Sequence, residues 1–256
     1  MFGQGEVEEK SIGTAWESLV KECWTDGRTF ETEYGEKSKD LSPGIAYVVD
    51  PLSEPKIHRA VFAWHRKDGY AREILEGNED HRIGKDWWYT YHQRLFEWPY
   101  NNEQVAEVLL AYSLDRSEMH VSEDLHQNLH LTQKLLPGVR NRDHMLGVDS
   151  GCIAYVNQIE YIIDKLKEAP HSRRAQAVTW NPLIDETSNE SPCLQRVWCR
   201  VGAELGEPSE RLLEMHTYWR SRDLWKAWWL NVWGMVALQK LIANALGIGV
   251  GRYIDV

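Results

Sequence analysis

The alternation of apolar and polar positions divides the chain into short helices and strands. Trp16, Leu19, Val20 and Cys23 recur at helical spacing in Ala15–Cys23, and Asp26-Gly27 ends that helix. Thr29 to Lys39 alternates as a strand or hairpin. Ile45–Val49 is a short apolar strand stopped by Asp50-Pro51. Lys56 to Gly77 reads mainly as helix, with Tyr70, Ile74 and Leu75 on its buried face and Gly77-Asn78 as its end. Asn102–Tyr112 and Ile153–Lys167 are amphipathic helices. Ala175–Trp180, Gln195–Val201 and Arg211–Tyr218 are strands, the last two joined as a hairpin through Gly202–Ser209. Leu224–Leu246 is apolar almost all round, which predicts a buried helix. A further strand begins at Arg252. No internal repeat or linker divides the chain, so residues 1–256 are expected to form one domain.

Composition narrows the class. Hydrophobic residues make up 43% and charged residues 27% of 256, ordinary for a globular protein. The net charge of −10 argues against a broad grip on nucleic acid or anionic membrane, so an anionic ligand has to be met by local arginines. Cys23, Cys152, Cys193 and Cys199 show no metal spacing and are too few for a disulfide scaffold, which fits a cytoplasmic setting. The polar N-terminus is no signal peptide, and Asn231, Gln239, Lys240 and Asn244 interrupt the longest apolar run, which excludes a membrane span. His126 and His130 stand four apart, but no third ligand matches them, so no metal is expected.

Candidate chemistry centres on Ser191-Pro192-Cys193-Leu194. Proline fixes its own φ and biases Ser191 towards extended backbone, so the thiol stands at the mouth of a strand on a preset chain. A lone cysteine is more often a small core residue than a catalyst. Its surroundings decide the matter. Ser172-Arg173-Arg174 directly precedes a strand, and Arg220-Ser221 directly follows one; each offers guanidinium forks with a hydroxyl, suited to phosphate. Taken singly, either pair would be a surface ion-pair former. Asn231, in an apolar helix, carries a donor beside an acceptor, which can read C=O next to N–H on a planar ring such as uracil. Guanidinium charge nearby would favour the thiolate, which could add to ring C6. Trp87, Trp88, Tyr89, Tyr91, Phe96 and Trp98 form an aromatic-dense stretch around Arg94, either a core wall or a stacking surface.

Ser172-Arg173-Arg174-Ala175, Thr179-Trp180-Asn181-Pro182, Ser191-Pro192-Cys193-Leu194 and Tyr218-Trp219-Arg220-Ser221-Arg222-Asp223 with Asn231 together resemble the core of thymidylate synthases. The helix from Asn157 to Ser172 is similar to the family's helix before the double arginine, and Tyr89–Arg94 resembles its Tyr-Gly-x-Arg element. The strong resemblance covers about residues 155–246. It implies an α+β fold, with one large mixed sheet, helices on one face, and a homodimer through the other. It also implies C5 methylation of dUMP with 5,10-methylenetetrahydrofolate, with nucleotide hydroxymethylation as the alternative within the fold. On this resemblance Cys193 is the nucleophile, Arg220 and Ser221 hold the phosphate, and Arg173 and Arg174 reach the neighbouring subunit's phosphate. Asn231 reads the base, Asp223 contacts the pterin of the folate, and Trp87 and Trp88 stack on it. Glu73 is the expected catalytic glutamate, with Glu76 next, and Arg28 is the candidate N-terminal phosphate arginine. Leu194 and Trp198 depart from the family's histidine and glutamine, and Lys226–Leu230 departs from its Leu-Gly-x-Pro-Phe run. Residues 102–151 are expected to be an insertion, and the chain is expected to lack the family's His-x-Tyr ribose contact and C-terminal lid.

Overall fold

The computed structural model describes residues 5–32, 35–100, 139–141, 154–181, 185–186, 188, 190–203 and 211–256. The expected helix Asn102–Tyr112, the histidine-rich stretch and nearly all of the expected insertion lie outside them.

Strands β1 (Glu6–Glu9), β4 (Ile45–Val48), β8 (Gln176–Val178), β9 (Leu194–Ala203), β10 (Arg211–Trp219) and β11 (Gly249–Asp255) form one mixed sheet in the order β1-β4-β11-β10-β9-β8. Two pairings are parallel, β1 with β4 and β10 with β11; the rest are antiparallel. The expected 29–39 hairpin is β2 (Arg28–Glu31) with β3 (Lys37–Asp40). Strands β5 (Trp98–Tyr100), β6 (Val139–Asn141) and β7 (Ala154–Val156) make a small third sheet.

Helices α1 (Ile12–Asp26), α4 (Gln158–Glu168) and α5 (Trp229–Leu246) pack on the large sheet. A reciprocal pair of hydrogen bonds between Ser11 and Thr14 starts α1, satisfying N–H groups that the first turn leaves free. Its Ile12, Ala15, Trp16 and Leu19 are buried, and Trp16 Nε1 donates to the Leu224 carbonyl at 2.8 Å. Residues Val232, Met235, Leu238 and Ile242 of α5 are wholly buried, as its apolar run predicts. Gln239 is buried among them. Its Nε2 donates to the carbonyls of Leu213, Gly251 and Arg252, where the β10–β11 register shifts. The amide thus serves carbonyls that an irregular ladder would strand.

Three predicted boundaries move. The helix expected over Lys56–Gly77 is only α2 (Lys67–Glu76), after a short 3₁₀ turn at Trp64–Arg66. Ala63 has φ 59°, which no helix continues through. The helix expected from Ile153 starts at Gln158, because Asn157 caps it and residues 154–156 pair as β7. The long helix expected from Leu224 begins as a wide π-turn, Leu224–Trp228, capped by Asp223.

The other face of the large sheet carries no helix among the described residues. Facing pairs cross it from β9 to β10: Arg200 opposite Glu214, Trp198 opposite His216, and Arg196 opposite Tyr218. Trp198 meets the His216 ring edge-on at 4.7 Å. Glu214 accepts from Arg200 Nε at 2.6 Å, His216 Nε2 at 2.8 Å and Arg252 Nη2 at 2.8 Å. Burial opposes its ionisation, but these hydrogen bonds and charges prevail and hold its carboxyl at about 2. A folded pKa below the ordinary 4.5 means that the stabilisation is present above that pH and lost as pH falls towards 2. Glu214→Gln is expected to cost about 2 kcal/mol at pH 7, with the gap to wild type narrowing below about pH 4.5, as read by denaturant unfolding.

Candidate active site

The Cys193 loop is anchored from three sides. Its own carbonyl accepts from Arg220 N at 2.9 Å, at the end of the β9–β10 ladder. The next N–H, of Leu194, donates to Tyr91 Oη at 3.3 Å. The ladder slips at this point: Tyr218 pairs with Arg196, whereas Trp219 pairs with Leu194. Gln195 is the extra residue, and its Nε2 returns to the Pro192 carbonyl at 2.7 Å. A bulge beside the thiol re-aims the chain just where the strand begins. Cys193 is half-buried, while Cys199, six residues further along on β9, is fully buried and its thiol is pushed far up by burial. Of these two, Cys193 is the one a ligand can reach.

Arg220 holds this loop from beneath. Nε donates to the Pro192 carbonyl at 3.3 Å and Nη2 to the Ser191 carbonyl at 3.0 Å. Arg220 and Ser221 are both exposed, so the guanidinium keeps donors for an anion beside the thiol. Asp223 is exposed too, and its Oδ1 accepts from the N–H groups of Trp225 and Lys226, both at 2.8 Å, capping the π-turn.

Asn231, on the first turn of α5, is half-buried, and its Nδ2 donates to Tyr70 Oη at 2.5 Å. Tyr70 comes from α2. The close approach of the two helices depends on Gly234, where a Cβ would meet Ile74 Cδ1 at 2.5 Å and the Tyr70 ring at 3.0 Å. Burial, with the charge of Glu73 adding to it, raises the Tyr70 phenol well above its ordinary range. The phenols of Tyr89 and Tyr91 are also raised by burial, and each senses Cys193. Tyr91 senses Tyr70 as well, and burial keeps all three phenols neutral.

Other expected residues fall elsewhere. Glu73 lies one turn after Tyr70 on α2, and the charges it senses are Glu79, Arg66, Asp80 and Arg82. Arg173 and Arg174 are exposed before β8, where Arg173's carbonyl accepts from Trp198 Nε1 at 3.0 Å. A hollow beside Arg174 is lined by Gln158, Tyr161, Gln176 and Val178 and does not include Cys193. Trp87 is covered by the Arg82 guanidinium at 4.2 Å, and Trp88 is 54% exposed. Arg28 is exposed on the β2–β3 hairpin. Arg94 is structural: buried against Trp98 and Tyr89, it pairs with buried Asp185 at 2.7 Å. Trp198, noted as a departure, lies on the sheet face without helices, and Trp228 and Trp229 are buried, bonded to Asp255 and to the Lys56 carbonyl.

Sequence patterning placed Tyr70 in a core stripe and passed over Arg222. The Arg222 guanidinium stacks on Trp219 at 4.4 Å and pairs with buried Asp255, while its buried Nε and Nη1 have no partner among the described residues. A phenol tip on an apolar stripe was the available signal for Tyr70; for Arg222 there was none beyond its place beside Arg220. Among the described residues one group has metal-like geometry, Asp80, His92 and Glu97, with ligand atoms within 4.8 Å. Asp80 already binds the Thr90 hydroxyl and, at 2.6 Å, His92 Nδ1, which makes it a brace between the 3₁₀ turn Asp80–Arg82 and α3 (Tyr91–Phe96).

The half-buried Cys193 thiol stands on a braced turn beside the exposed Arg220-Ser221 pair, and Asn231 stands on the first turn of α5. The sequence profile described as Thymidylate synthase matches residues 88–256, and the chain belongs to that family. Proteins named "Putative thymidylate synthase" are similar along most of its length. That of Methanocaldococcus jannaschii is 26% identical over 252 residues, covering 96% of this chain and 85% of the relative. That of Methanosarcina mazei is 25% identical over 245 residues, covering 96% and 83%. That of Methanothermobacter marburgensis is 27% identical over 247 residues, covering 96% and 87%.

Burial, then the nearby Glu79 and Asp80 charges, raise Glu73 from 4.5 to about 7 against the pull of Arg66 and Arg82. A raised folded pKa gives its full benefit below 4.5 and loses it as pH climbs through 7. Glu73→Gln is therefore expected to stabilise the protein by about 1 kcal/mol at pH 8.5, after allowance for solvent screening, and not at all at pH 4. Unfolding curves at the two pH values check this.

Proposed function

We propose that the protein methylates C5 of dUMP to give dTMP, with 5,10-methylenetetrahydrofolate as the second substrate. The observation that carries this reading is the Arg220 guanidinium, which holds the Ser191 and Pro192 carbonyls of the Cys193 turn while it and Ser221 stay exposed; Asn231, paired with Tyr70, supplies a half-buried amide. In it, the phosphate is held by Arg220 and Ser221, which presents the ring to the thiol. Asn231 reads the ring through Oδ1, accepting from N3–H, and through the second Nδ2 hydrogen, donated to the C4 oxygen. The Cys193 thiolate adds to C6, and the π pair of C5=C6 moves towards the C4 carbonyl. The folate supplies the carbon and the hydride when bound. Asp223 stands at the rim beside the arginine loop to meet it, and the exposed ring of Trp88 offers a stacking surface.

The reading includes a homodimer formed by the sheet face without helices. Trp198, His216 and Tyr218 are half-buried and Glu214 is buried there, with Arg200 exposed beside them and no helix over them among the described residues. In such a dimer Arg173 and Arg174, exposed at the β8 side, serve the partner's phosphate.

Incubation with dUMP and methylenetetrahydrofolate, with the product identified by mass, tests the reaction. A methylated nucleotide is expected; a hydroxymethyl product would replace the reading by the hydroxymethylase of the same fold. Cys193→Ala should abolish turnover and leave dUMP affinity within about tenfold, and surviving turnover would remove Cys193 as nucleophile. Asn231→Asp should shift the preference towards dCMP by about 10²-fold or more in kcat/KM. An unchanged preference would take Asn231 out of base reading.

A further inference from the structure

We propose that Tyr70 and Asn231 form an oxyanion site for the C4 oxygen of the pyrimidine, with the Tyr70 hydroxyl as a catalytic hydrogen-bond donor. The inference rests on the reading above and adds a residue to it.

Three observations converge on this role. The first is hydrogen bookkeeping. Asn231 Nδ2 gives one hydrogen to Tyr70 Oη at 2.5 Å, so Tyr70 acts there as acceptor and its own hydrogen has to go elsewhere. Among the described residues no acceptor takes it. An oxygen that accepts the second Nδ2 hydrogen lies against the same pair of groups, within reach of the Tyr70 O–H. The second is that the placement of Tyr70 is built into the fold. Gly234 of α5 is the residue its ring packs against, and a methyl group there would press on that ring at 3.0 Å. The third is the charge behind the pair. Arg222 is partly buried, fixed by Asp255 and held between Trp219 and Trp228, with its buried Nε and Nη1 unpartnered among the described residues. Its positive charge acts on the Tyr70 phenol.

The chemistry that suits this arrangement is enolate stabilisation. When the S–C6 bond forms, the C5=C6 pair shifts to C4–C5 and the C4=O4 pair moves onto O4, which becomes an oxyanion. A neutral donor aimed at the atom that gains charge lowers the barrier more than it tightens binding of the uncharged ring. Tyr70 stays neutral at working pH, since burial and the charge of Glu73 raise its phenol. Glu73, the expected glutamate on the same helix, senses Glu79, Arg66, Asp80 and Arg82, and the α2 side chain that reaches the amide is Tyr70.

Exchange of the C5 hydrogen isolates this step from the folate. In D2O the enolate takes a deuteron at C5, loses the original proton to solvent and expels the Cys193 thiolate, returning dUMP labelled at C5. Wild type, Cys193→Ala and Tyr70→Phe are compared by the rate of label uptake from dUMP, with calorimetric dUMP affinity on each. Tyr70→Phe keeps the ring and its packing and removes only the hydroxyl. The expected result is exchange slowed by about 10²–10³-fold with dUMP affinity changed less than about fivefold. Exchange at the wild-type rate would overturn the role of Tyr70 and leave the proposed function standing, as would a loss of exchange matched by an equal loss of affinity. Absence of Cys193-dependent exchange in wild type would overturn both.

Discussion

The carboxylate of Asp255, near the end of the last strand, is the constraint on which the site depends. It is buried, and a buried charge is tolerated only when paired and hydrogen-bonded. It accepts from Thr217 Oγ1 at 3.0 Å, Tyr253 Oη at 3.2 Å and Trp228 Nε1 at 2.6 Å, and it pairs with Arg222. Four partners from β10, β11, the turn after β10 and the π-turn are thereby fixed to one point. Arg220 and Ser221 lie on one side of Arg222, and Asn231 lies three residues beyond Trp228. The Arg220-Ser221 pair and the Asn231 amide, the proposed phosphate and base contacts, are both positioned by a carboxylate that touches neither.

The thiol side of the site is organised by neutral hydroxyls. Tyr91 takes the N–H of Leu194, and Arg94, ion-paired with Asp185, lies over the ring of Tyr89. The Arg220 fork takes the carbonyls of Ser191 and Pro192. Backbone groups on the Cys193 turn are therefore satisfied by side chains from distant elements, which is what a turn in a partly buried site requires. The cost is borne by aromatic residues, and it accounts for a good part of the aromatic stretch at residues 87–98: Trp98 and Tyr89 cover Arg94, and Tyr91 packs edge-on against Trp219 at 5.8 Å.

Much of the fold was legible because its signals are local. The apolar run of α5, the β9–β10 alternation and the 29–39 hairpin depend on neighbours in sequence, and each was found within a few residues. The failures have local causes as well. Ala63 in a left-handed conformation ends a run that hydropathy alone would extend, and Asn157 caps a helix whose apolar pattern continues upstream into a strand. Trp198 and Trp228–Trp229 stood out as departures near the site, yet one lies on the sheet face away from the helices and the others in the core. Position along a strand fixes which face a residue takes only once the pairing is known.

The sequence by itself determined the pieces of chemistry: the thiol after Pro192, the arginine-serine pair, the amide at Asn231 and the spacing that ties them to one family. These are short-range patterns, and they survive in the linear order of residues. Only the tertiary structure decided which groups meet. Tyr70 reads as one more apolar-face residue in its own helix, and it reaches Asn231, 161 positions away, because Gly234 lets α2 and α5 close together. Asp255 reads as a charge at the end of a strand, and it becomes the fixed point of the site because β11 lies beside β10. Side chains that act through contacts between distant elements leave no periodic trace in the chain, so the packing of α2 on α5 and of β11 on β10 had to be seen.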